Sequence, residues 1–132
     1  MNGYIANIEA DTLANDDFRR VLYTASKMQL VLMSLPPGTD IGEETHGDVD
    51  QFIRCEAGDG KAILNGLEHP LTDGTAVVIP AGVRHNILNT STTVALKLYT
   101  IYAPPEHKDK IVRKTKADAM AEEEHFDGKT TE

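Results

Sequence analysis

The chain has no tryptophan, a single cysteine and few aromatic residues, 5% in all. One thiol, Cys55, excludes an internal disulfide framework and fits a reducing compartment, so a cytoplasmic protein is expected. No run approaches the roughly 20 apolar residues of a membrane-spanning helix. Cations are also scarce, with 13 Lys and Arg against 21 Asp and Glu and a net charge of −8. That balance argues against a nucleic-acid surface, which needs clustered Lys and Arg to replace counterions. It equally disfavours anionic membranes. The start, Met1 to Ala10, has neither a basic opening nor a long apolar stretch, so no secretory signal is expected. A Ser/His/Asp triad, a phosphate-binding glycine loop and a zinc-finger spacing are all absent.

What is present suits one globular domain. The chain has 132 residues, 40% hydrophobic and 26% charged, enough for a single core. Short apolar runs alternate with turn signals. Tyr4–Ile8 and Phe18–Thr24 read as strands, and Met28–Leu35 as a nearly continuous apolar strand interrupted by Gln29. Gln29 either reaches a sheet edge or solvent, or lines a pocket. Pro36-Pro37-Gly38 stops that strand. Gln51–Glu56 follows, with Gln51, Ile53 and Cys55 on one face. Lys61–Asn65 and Glu68–Leu71 flank an Asn65-Gly66 hairpin signal. Ala76–Pro80 and Val94–Tyr102 complete the set. Turn signals every ten or so residues predict an all-β sandwich or closed barrel.

The composition changes after Pro104-Pro105. Residues 1–105 are expected to form the barrel with its N-terminal strands. Residues 106–132 are a polar tail, helical or partly disordered, with a possible helix from Thr115 to His125 capped by Thr115.

Two stretches carry the candidate chemistry. The second, Gly74 to Asn89, fits the pattern G-x5-P-x-G-x2-H-x3-N through Gly74, Pro80, Gly82, His85 and Asn89. The first, Gly38 to Gly58, fits the spacing of G-x5-H-x-H-x4-E-x6-G, with Glu44 at the first histidine position and Gln51 at the glutamate position. Together they resemble the two motifs of the cupin superfamily, in particular the small single-domain cupins. The resemblance covers about residues 28–103 and implies a double-stranded β-helix, or jelly-roll barrel, with a metal in its mouth.

Carried over position by position, the resemblance nominates Glu44, His46, Gln51 and His85 as metal ligands. They supply two imidazole nitrogens, one carboxylate and one amide oxygen, a set suited to one divalent transition metal such as zinc, manganese, iron or nickel. The usual set of three histidines and a glutamate has the same charge, so the two departures compensate. Asp48 is an alternative carboxylate if the first loop bends differently. Asn89 reads as a loop-tying residue, Pro80 and Gly82 as shapers of the loop before His85. Cys55 reads as a small core residue or a thiol near the pocket, and His69, His107 and His125 as surface residues. Tyr102 lies at the offset from His85 of pocket residues in small cupins that process unsaturated uronic acids, relatives that also carry glutamine at the Gln51 position. It is therefore a candidate substrate contact.

The resemblance implies a small-molecule ligand and leaves three functions open. The first is a metal-dependent isomerase or tautomerase acting on a sugar, uronate or keto acid. The second is a dioxygenase using iron or another redox metal. The third is a non-catalytic binding or sensing module with a structural metal. A homodimer formed through sheet edges is expected, with Tyr4–Ile8 a candidate for strand exchange.

Overall fold

The computed structural model describes residues 2–132. Nine strands and two short helices follow the order α1 (Ile8–Ala14), β1 (Arg19–Thr24), β2 (Gln29–Leu35), β3 (Asp50–Ala57), β4 (Asp59–Leu64), β5 (Leu67–Thr72), β6 (Ala76–Ile79), β7 (His85–Asn89), β8 (Leu96–Ala103), β9 (Val112–Arg113) and α2 (Lys116–Ala121). They form two antiparallel sheets. One has six strands in the order β6-β3-β8-β2-β1-β9, the other three in the order β5-β4-β7. This is the expected jelly-roll. The core lies between the sheets, with Val31, Met33, Leu35, Ile53 and Leu98 from one and Ala62, Leu71 and Ile87 from the other. No helix among the described residues is long and apolar enough to cross a membrane.

The uninterrupted apolar run of β2 has a simple cause. Val31, Leu32, Met33 and Leu35 are all buried, so both faces of this strand are covered. Close packing also explains Gly60. A Cβ there would stand 2.4 Å from the Leu88 carbonyl oxygen on β7, so only glycine lets β4 pair at this register. The Asn65-Gly66 hairpin forms as expected, with φ of 49° and 83°.

Three expectations need correction. Tyr4–Ile8 is not a strand; the chain enters α1 at Ile8. Asn7 caps that helix by accepting a hydrogen bond from Ala10 N–H at 3.1 Å, and Glu9 and Asp11 sit at its positive end. There is accordingly no N-terminal strand to exchange, and Tyr4 stacks on Tyr23 of the same chain at 5.3 Å. The C-terminal helix ends at Ala121 rather than His125. Its last turn holds no cation, and Glu122, Glu123 and Glu124 follow at the negative end of its dipole. Arg113 draws Glu122 and Glu124 back at 3.5 and 2.6 Å.

The third correction concerns Gln29, which reaches neither solvent nor a pocket. Its side chain is fully buried. Its amide donates to Thr24 Oγ1 at 2.9 Å and to the His107 carbonyl at 2.7 Å. Its oxygen accepts from the Glu106 and His107 N–H groups at 3.3 and 3.0 Å. One side chain thus fastens the start of the tail to the barrel. The tail is then held by β9 against β1 and by Thr131 N–H donating to the Thr24 carbonyl at 2.9 Å.

Gln29→Leu removes these bonds and strands buried backbone groups, each worth about 1–3 kcal/mol. We expect urea unfolding to show a loss of at least about 1 kcal/mol and amide exchange to accelerate at Glu106 and His107. Unchanged protection at those two amides would refute the fastening role.

Candidate metal centre

The two motif loops are stitched together by backbone. Glu44 N–H donates to the His85 carbonyl at 2.8 Å, and His85 N–H donates to the Glu44 carbonyl at 2.9 Å. This reciprocal antiparallel bridge sets the two side chains side by side on one face. Gly82 N–H donates to the His46 carbonyl at 2.7 Å, a turn that needs its φ of 87°. Ala81 N–H donates to Asp50 Oδ1 at 2.8 Å. Pro80 and Gly82 therefore shape the loop as expected. Asn89 ties the far end, donating to the Leu35 and Val94 carbonyls, both at 2.9 Å.

The result is a cluster. Ligand atoms of Glu44, His46 and His85 all lie within 4.8 Å of one another. His85 Nδ1 sits 2.9 Å from the Val83 carbonyl, so Nδ1 carries the proton and Nε2 keeps its lone pair. Glu44 Oε2 and His46 Nε2 are 2.9 Å apart, yet the contact lacks hydrogen-bond alignment and the buried His46 Nε2 has no partner. With His85 these atoms are close enough together to share one ion. Gln51 is buried on β3, paired in register with Tyr102. Its amide donates to Thr100 Oγ1 at 3.0 Å, and its buried Oε1 has no partner. Orphaned acceptors cost stability in a closed barrel unless something else uses them. The donor set therefore fits a divalent ion. Asp48 is exposed and lies outside the cluster.

The electrostatics agree with a shared centre. Burial alone would raise the Glu44 carboxyl, but its contact with His46 and the charge of Arg19 hold it below the usual carboxylate range. Glu44 raises the pKa of His46 against the opposing effect of burial, and Glu106 adds to the rise. Cys55 is a core residue, its thiol pushed up to about 11 by burial.

Above the cluster opens a cavity of about 400 Å³. Glu44 and His46 form its floor, and Phe18, Arg19, Glu106, His107 and α2 residues its walls. Two of these were misplaced or unseen in the sequence. His107 is a wall residue, only 9% exposed, not a surface one. Burial pushes its pKa down to about 3, so it stays neutral. Glu106, 3.6 Å from His46 Nδ1, has its pKa raised chiefly by burial. Arg19, Glu106 and His107 lie outside both motifs, and only the polar residue Gln29 within an apolar strand hinted at what holds Glu106 and His107. His69 is exposed as expected, and His125 is an exposed residue at the cavity rim. Tyr102 is 3% exposed and does not line the cavity. Its ring stands edge-on to His46 at 6.1 Å and to His107 at 5.1 Å.

A metal-ligand cluster at the floor of a jelly-roll mouth defines a class of protein, and the chain belongs to the cupin family: residues 31–102 match the cupin domain, Cupin_2. Among its relatives, the uncharacterized protein YrkC of Bacillus subtilis is 46% identical over 128 residues, covering 92% of this chain and 68% of YrkC. The uncharacterized protein L612 of Acanthamoeba polyphaga mimivirus is 49% identical over 107 residues, covering 79% of this chain and 67% of L612. The crystal structure of BH2720 from Bacillus halodurans superposes with a TM-score of 0.89 at 42% identity, over 92% of this chain and 96% of that one.

His85→Ala should abolish metal retention, and Gln51→Leu should weaken it at least about tenfold, while Gln51→Glu keeps it; elemental analysis and competition titration read all three. Protons compete with the ion for imidazole. Because His46 is raised, affinity should begin to fall above its ordinary value of 6.5 as the solution is acidified. An affinity that stays flat from about pH 8 to 5 would remove the histidines from the site.

Proposed function

We propose that the chain is a small divalent-metal-dependent enzyme acting on a sugar, uronate or keto-acid-like substrate by isomerisation or tautomerisation. The observation that carries this reading is the Glu44–His46–His85 cluster, whose ligand atoms lie within 4.8 Å of one another, with Glu44 and His46 opening on a cavity of about 400 Å³; the buried, unpartnered Gln51 Oε1 supports it. That volume suits a small ligand. A divalent ion held by Glu44, His46, Gln51 and His85 would supply Lewis acidity to a substrate carbonyl.

The chain's own groups divide the remaining work. Gln51 cannot carry a proton at neutral pH, so proton transfer must come from elsewhere. Glu106 lines the cavity beside His46 and supplies a carboxylate oxygen to accept a proton from carbon and return it. His107, neutral and lodged in the wall, adds no positive charge to that of Arg19. Tyr102 braces His46 and His107 from behind, and any substrate contact it makes is reached past them.

A second reading rests on the cluster itself. Two histidines and one carboxylate are also the ligand types of non-haem iron oxygenases, so a dioxygenase is the alternative. A binding module with a structural metal is the third, and it predicts ligand binding without turnover. The exposed Leu67 and Val78 on β5 and β6 support a homodimer, which light scattering tests.

Incubation in D2O with keto acids and reducing sugars separates these readings. The first predicts solvent deuterium at the carbon next to the carbonyl, with no oxygen uptake at an electrode. Glu106→Gln should keep its metal and lose about 100-fold or more of that exchange. Oxygen uptake with iron-loaded protein would move the dioxygenase reading to the front.

A further inference from the structure

Four of the five arginines pair with carboxylates: Arg20 with Asp17, Arg54 with Glu56, Arg84 with Glu43, and Arg113 with Glu122 and Glu124. Arg19 does not. Among the described residues its guanidinium makes no ion pair or hydrogen bond, and its Nε is buried without a partner. Its one aromatic contact is with the adjacent Phe18 ring, 5.6 Å away. On β9 it faces Arg113 in register, so its strand partner repels it. Nevertheless it lines the cavity above the metal cluster.

The other cation on that wall, Lys116, is already held by Asp40 at 2.5 Å. The partly buried acid, Glu106, is turned to His46 at 3.6 Å and His125 at 3.9 Å. Arg19 acts on the Glu44 carboxylate only through space and bonds no group, so its donors stand unsatisfied in a half-closed site, an arrangement that costs stability unless an acceptor arrives. Local rules of this kind are broken at functional sites. A planar guanidinium matches a carboxylate through two parallel hydrogen bonds.

Resting on the enzyme reading above, we propose that Arg19 binds the carboxylate of the substrate, which makes the substrate class a small organic monoacid with a second oxygen placed to reach the Glu44–His46–His85 cluster. The charges select for one negative charge. A divalent ion with the Glu44 carboxylate leaves one net positive charge, and Arg19 adds another. Glu106 and Glu123 also line the cavity, and they oppose a dianion such as a phosphate ester. Neutral sugars leave Arg19 unpaired.

The test is calorimetric titration of the metal-loaded full chain with matched probes: galacturonate against galactose, lactate against lactamide, and inorganic phosphate. At least one carboxylate should bind ten-fold or more tighter than its neutral counterpart and tighter than phosphate. Arg19→Gln should abolish that preference with metal content unchanged, and Arg19→Lys should recover part of it. Equal binding of acid and neutral probes, tighter phosphate, no binding at all, or an Arg19→Gln protein that still prefers acids would each overturn the assignment. Elemental analysis runs alongside on every sample. A chain without metal that still shows the Arg19-dependent preference would sink the metal enzyme reading and leave the carboxylate site standing.

Discussion

Two backbone hydrogen bonds between Glu44 and His85 hold the centre together. They join loops some forty residues apart in sequence and fix a carboxylate and an imidazole on one face without relying on either side chain. Everything else at the floor is arranged from that bridge. His46 follows two residues after Glu44, and its own carbonyl is tied down by Gly82. The Val83 carbonyl then selects the tautomer of His85. A cluster of potential metal ligands built this way is positioned by main chain first and by side-chain packing second. That explains how residue types can be exchanged between positions while the geometry survives.

Charge follows the same economy. The carboxylate that the resemblance places at position 51 stands instead at position 44, and an amide takes its former place. Position 51 lies in the regular strand β3, deep in the barrel, where an amide donates to Thr100 and keeps an oxygen free. Position 44 lies nearer the mouth, within reach of Arg19 and His46, which favour the ionised carboxyl. Each group thus sits where its solvation suits it.

Much of this was legible in the sequence. The strands, the hairpin at Asn65-Gly66 and the motif spacings leave their mark in local patterns, because each depends on residues close together in the chain. What stayed hidden depends on distant ones. Gln29 meets Glu106 and His107 across nearly eighty positions, and no periodicity announces such a meeting. His107 looked like a solvated histidine because its neighbours in sequence are polar, although its neighbours in space are Tyr102 and the barrel wall. The misreading of Tyr4–Ile8 was of another kind. The cap at Asn7 and the acids of the first turn were present in sequence, and a short apolar run outweighed them.

The cavity draws its floor and its walls from different parts of the chain. Its floor, Glu44 and His46, belongs to the first motif, whereas Arg19, Glu106, His107 and α2 lie before and after both motifs. Substitutions in the outer segments can reshape the walls of the cavity while the Glu44–His46–His85 cluster stays intact.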